Sequence, residues 1–125
     1  MIDNEYNKIW IKDGIMYAEY KPNTFVTLEM AERQVKDRLE LANGKAYPIC
    51  GSIVNLKKVS NDAREFLGTD AAMKGVICFA IVTSNPLQKM FGNFYLNFRK
   101  SKIPTRLFSN QEEALQWIER NRFVN

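Results

Sequence analysis

The chain has 125 residues, 46% of them apolar and 26% charged, with 18 Lys and Arg against 14 Asp and Glu. That length can bury roughly two thirds of the unfolded surface without staples, and the composition is that of a globular chain, which argues against long disorder. Histidine is absent, which excludes Ser-His-Asp and Cys-His catalysis and every histidine metal site.

No apolar run approaches the roughly 20 residues of a bilayer span, and the polar stretch Met1 to Lys8 lacks the apolar region of a signal peptide. A cytoplasmic protein without a membrane span is therefore expected. Cys50 and Cys78 lie far apart, each inside an apolar segment, so reduced, buried thiols are expected rather than a disulfide framework or a zinc knuckle, and no metal or cofactor is implied. The net charge of +4 can attract an anionic partner without requiring one.

In chain order, Lys8 to Lys21 reads as a hairpin about Asp13-Gly14, a dipeptide suited to the positive φ angles of a two-residue turn, with Ile9 and Ile11 on one face. From Thr27 the period changes. Leu28, Ala31, Val35, Leu39 and Ala42 recur three to four apart, which predicts an amphipathic helix capped by Thr27 and ended by Gly44. Ala46 to Leu56 and Val76 to Val82 read as buried strands. Between them Ser60 precedes the stripe Ala63, Phe66, Leu67 and Ala71, a crossover helix joining parallel neighbours.

Asn85 and Pro86 open a predicted third helix with Leu87, Met90, Phe91, Phe94, Tyr95 and Phe98 on its apolar face and Gly92 as an interior weak point. Thr105 to Phe108 is a short strand. Ser109 and Glu112 form a capping box for a last helix with Ala114, Leu115 and Ile118 inward. The order β-β-α-β-α-β-α-β-α predicts an α/β fold: a mixed, mostly parallel sheet of about five strands begun by a hairpin, with about four helices, in one domain spanning residues 1–125.

This order, together with "AYPICGSIVNLKKVSNDAREFL", "GVICFAIVTSNPLQKMFGNFYLNF" and "TRLFSNQEEALQWI", resembles the small bacterial STAS-like proteins of SpoIIAA-like fold, relatives of the anti-sigma-factor antagonists. The resemblance implies a SpoIIAA-like fold over nearly the whole chain and a non-enzymatic regulatory or protein-interaction role. In the antagonists a phosphorylatable serine opens the second helix within Asp-Ser-x-Gly. The matching stretch here is Val59-Ser60-Asn61-Asp62-Ala63, which keeps the serine and lacks the flanking aspartate and glycine. The same fold is similar to lipid-binding modules of the Sec14 type, although no lipid-pocket motif carries over.

Ser60, Asn61, Asp62 and Arg64 are thus the candidate partner or regulatory residues. Ser60 has two compatible readings, a helix cap and a modification or partner site. Lys89, Asn93, Arg99, Lys100, Lys102 and Arg106 form the one local basic grouping, a candidate anion surface whose default is a solvated turn. The run "FGNFYLNF" weakly matches an RNA-recognition strand, but its aromatics keep helical spacing and it lacks the leading basic residue, so core packing is expected and nucleic acid is not. Tyr6, Trp10 and Tyr20 add aromatic area if the hairpin exposes one face. No nucleophile, base and charge stabiliser converge in any motif, so no catalytic residue is assigned. A protein partner is the leading expectation. The alternative is a carrier or sensor holding an apolar or lipid-like ligand between the sheet and the aromatic helix, and a homodimer stays open.

Overall fold

The computed structural model of the protein describes residues 1–84 and 102–123. Among them, eight strands and three helices follow one another: β1 (Ile2–Asp3), β2 (Asn7–Lys12), β3 (Ile15–Tyr20), β4 (Thr24–Val26), α1 (Leu28–Ala42), β5 (Tyr47–Ser52), β6 (Leu56–Val59), α2 (Asn61–Leu67), β7 (Val76–Val82), β8 (Thr105–Phe108) and α3 (Gln111–Asn121). The main sheet has six strands in the order β1-β2-β3-β5-β7-β8, antiparallel through β3 and parallel from β3 to β8. A second, two-stranded parallel ribbon pairs β4 with β6. The sheet has one strand more than the five expected, the two-residue β1 at its edge. The predicted third helix, with Asn85, Pro86, Gly92 and the aromatic run Phe91 to Phe98, lies outside the described residues.

The hairpin turns where its sequence demands. Asp13 and Gly14 hold φ of 53° and 75°, the left-handed pair a two-residue turn requires. The Arg122 guanidinium at the end of α3 hydrogen-bonds the carbonyls of both, at 3.4 and 3.2 Å, so the end of α3 is tied to this turn.

Two helix boundaries differ from expectation by one residue. Asn43, not Gly44, first takes the left-handed conformation after α1, at φ 50°, because a short amide side chain tolerates that region. Asn110 rather than Ser109 caps α3, its Oδ1 accepting from the Glu113 amide at 2.9 Å. A third correction is larger. The expected strand Ala46 to Leu56 is two strands, since β5 ends at Ser52 and a turn closed by the Leu56 amide on the Ile53 carbonyl at 3.1 Å carries the chain into the ribbon.

Strand alternation sorts side chains to two cores. Ile9, Met16, Ile49 and Ile81 face α1 and α2 and pack with Ala31, Ala42, Ala63 and Leu67. Ile15, Cys50, Cys78, Ala80 and Val82 face the other way, against Ala114, Trp117 and Ile118 of α3. Both cysteines are buried free thiols, and burial pushes each up to about 11. Trp10 and Tyr17, also on the α3 side, stack on each other with ring centroids 5.3 Å apart, while Tyr6 is buried and Tyr20 half-buried. The hairpin therefore does not present all three of Tyr6, Trp10 and Tyr20 as one aromatic surface.

Candidate interaction surface and internal cavity

Ser60 is in extended backbone and its Oγ accepts from the Ala63 amide at 3.2 Å, the geometry of an N-cap. The same hydroxyl donates to the Asp62 carboxylate, which itself receives the Ala63 amide at 2.9 Å. Arg64 turns back onto the Asn61 side-chain oxygen. The four sequence-predicted residues thus form one hydrogen-bonded cluster at the first turn of α2, with Asn61 and Asp62 exposed and Ser60 and Arg64 half-buried.

The ribbon places apolar surface beside this cluster. In β4 and β6, Thr24, Val26, Leu56 and Val59 point inward and are buried, which leaves Phe25, Lys57 and Lys58 outward. Phe25 is 42% exposed with the Lys58 ammonium 5.6 Å from its ring centre, and Val54 in the preceding turn is 47% exposed. The Ser60 amide bonds the Val26 carbonyl at 3.0 Å, tying the start of α2 directly to the end of β4. Phe25 and Lys58 escape sequence reasoning because three- and four-residue strands carry too few alternations to define a face.

The basic grouping is only partly described. Lys102 and Arg106 are exposed beside and on β8, with Arg106 over the Phe108 ring at 5.7 Å. Lys89, Asn93, Arg99 and Lys100 lie outside the described residues. Among the described residues no group of three or more Cys, Asp or Glu side chains is placed to hold a metal ion, and no helix is long and apolar enough to cross a membrane.

Between the sheet and α1 lies a half-enclosed cavity of about 90 Å3. Most of its described lining is apolar, including Ile9, Ile49, Val35, Met73 and Phe79, but Asn7, Tyr20, Gln34 and Arg38 bring polar atoms to it. Gly51 leaves the space for Phe79 to reach this wall, since a Cβ there would stand 2.9 Å from the Phe79 ring. The Tyr20 hydroxyl donates to Gln34 Oε1 at 3.0 Å, and its burial pushes the phenol up to about 12. Arg38 is 9% exposed, its Nη2 donates to the Ala72 carbonyl at 2.7 Å, and burial lowers its pKa. Sequence spacing held the signal for Arg38: Ala31, Val35, Arg38 and Ala42 fall four, three and four apart, the period of the buried face.

A protein from the DUF3478 family with a SpoIIAA-like fold, from Shewanella loihica PV-4, superposes with a TM-score of 0.63 at 19% identity, over 94% of this chain and 98% of its own. The fold is thus α/β of the SpoIIAA-like kind, as the resemblance implied. The chain belongs to the family described as a domain of unknown function, DUF7793, which matches residues 9–122. No curated protein sequence matches.

Proposed function

We propose that residues 1–125 act as one domain, a non-enzymatic protein-interaction module that presents the start of α2 and the β4–β6 ribbon to a protein partner. The observation that supports this reading is the exposed Phe25, with Lys58 over its ring, on a ribbon whose Val26–Val59 end leads directly into the Ser60–Arg64 cluster, with Val54 exposed at the ribbon's other end. Interfaces concentrate binding energy in an aromatic anchor ringed by polar and charged groups, and Phe25 stands in that position. The positive groups around it favour a partner that offers acidic side chains.

Quantitative capture from native cells with the wild type and with Phe25→Ser, Lys58→Glu and Arg64→Glu tests the proposal. A protein enriched by the wild type and depleted at least tenfold by each variant, at unchanged melting temperature, is the expected result. A partner set indifferent to all three changes would overturn the assignment. A second copy of the chain is itself an outcome, recognised by concentration-dependent size.

The cavity favours a second reading, a small carrier or sensor. About 90 Å3 is well below the roughly 300 to 1,000 Å3 of pockets for drug-sized ligands, so the reading turns from a lipid towards a small molecule. The aromatic helix expected to wall such a site lies outside the described residues; the walls named above are the sheet, α1 and the segment after α2.

A further inference from the structure

We propose that the cavity binds a short hydroxycarboxylate, with Arg38 receiving the carboxylate and Asn7 the hydroxyl. The proposal rests on the carrier or sensor reading and names its ligand class.

The first observation is a buried cation without a counter-ion. Arg38 is 9% exposed and carries five N–H donors, of which one is seen to be used, on the Ala72 carbonyl at 2.7 Å. Among the described residues no carboxylate lies within 4.0 Å of its guanidinium. Glu19 also borders the cavity yet forms no ion pair with it. Burying a charge is costly unless it is paired and hydrogen-bonded. A methionine would fill this position on α1 at far less cost, so the cation is retained at the cavity wall for an anion that arrives from outside. A guanidinium receives a carboxylate through two parallel N–H donors.

The second observation is independent and lies on the sheet. Asn7 is 3% exposed and its Oδ1 has no hydrogen-bond partner among the described residues, although it borders the same cavity. An orphaned buried acceptor calls for a donor. A hydroxyl supplies one where a plain alkyl chain does not.

Size limits the ligand. An apolar cavity of about 150 Å3 accepts the six carbon atoms of benzene, so 90 Å3 encloses roughly four non-hydrogen atoms, and the remainder of a short acid would lie in the open side of this half-enclosed cavity. Ile9, Val35, Ile49 and Met73 would enclose its carbon skeleton. Propionate lacks the hydroxyl of lactate, and 1-propanol exchanges the carboxylate of propionate for a neutral hydroxymethyl group.

Titration of the wild-type protein by calorimetry, with the Arg38 Nε–H resonance followed by NMR, tests the assignment without relying on any variant to fold. Lactate should bind and shift that resonance, propionate should bind several-fold more weakly, and 1-propanol at least tenfold more weakly than lactate. Arg38→Met should erase the preference for the acid over the alcohol, and Asn7→Leu the preference for lactate over propionate. Equal binding of 1-propanol would overturn the anion assignment while leaving the ligand-binding reading intact. Equal binding of inorganic phosphate would make the site a generic anion site and overturn the carboxylate. Failure of all these probes to bind in the millimolar range would overturn both the proposal and the reading beneath it.

Discussion

Replacing Ser60 by alanine removes the cap of α2, yet the Ala63 amide also faces the Asp62 carboxylate at 2.9 Å. One donor shared by two oxygens keeps a partner when either is lost. An N-cap serine is worth about 0.5 to 2 kcal/mol, so Ser60→Ala belongs in the lower half of that range, about 0.5 to 1 kcal/mol. Asp62→Ala should cost a similar about 0.5 to 1 kcal/mol, since it withdraws a carboxylate from the positive end of the helix. The double variant differs in kind. It leaves the amide of Ala63, a residue with no exposed surface, without either acceptor, and an unsatisfied buried donor costs about 1 to 3 kcal/mol. The double change should therefore exceed the sum of the single ones by about 0.5 to 1.5 kcal/mol. Urea unfolding at neutral pH measures this as a shift of midpoint at constant slope. A loss above about 2 kcal/mol for Ser60→Ala alone, or strict additivity in the double variant, would refute the shared-donor account.

Ile118 is fully buried against Trp117 and Ala114, so Ile118→Ala should cost about 2 to 5 kcal/mol in the same assay, and a loss below 1 kcal/mol would deny α3 its place on the sheet. Gly14→Ala should destabilise as well, because φ of 75° disfavours a side chain and the new Cβ would stand 2.5 Å from the Arg122 guanidinium; unchanged stability would argue against the turn. Cys50 and Cys78, each held up to about 11 by burial against an ordinary thiol value of 9.0, should resist iodoacetamide in the folded protein and react after unfolding, as mass spectrometry would show. Between about pH 9 and 11 the unfolded chain has lost these protons and the folded one keeps them, so stability should fall as pH rises through that window. A urea midpoint that rises from pH 9 to 11 would contradict the burial of these thiols.

Segments set off by turn or cap residues on both sides were legible in the sequence, and the two strands of the ribbon were not. The strand Val76 to Val82 and the strand Thr105 to Phe108 lie where the apolar runs place them, and Thr27 and Ser60 cap the helices they precede. The ribbon was invisible, because β6 reads as a continuation of β5 until the turn at Val54-Asn55 is known. Cap positions slipped by one where two capping residues stand side by side, as at Ser109-Asn110. Of the candidate residues, Ser60 to Arg64 are together because they are local in sequence. The polar side of the cavity depends on β2, β3 and α1 converging, and a lone arginine on a helical stripe of smaller apolar residues was its one trace.

The most direct test of the interaction surface is photo-cross-linking in native cells with p-benzoylphenylalanine placed singly at Phe25, at Val54 and, on the α3 side of the sheet, at Trp10. Position 25 lies on the ribbon close to the start of α2 and position 54 is exposed at the ribbon's other end, so both should become joined to the same protein if it covers the ribbon, with Arg64→Glu abolishing both adducts and position 10 giving none with that partner. Adducts that are the same from all three positions, or that form only at position 10, would contradict the assignment of this surface.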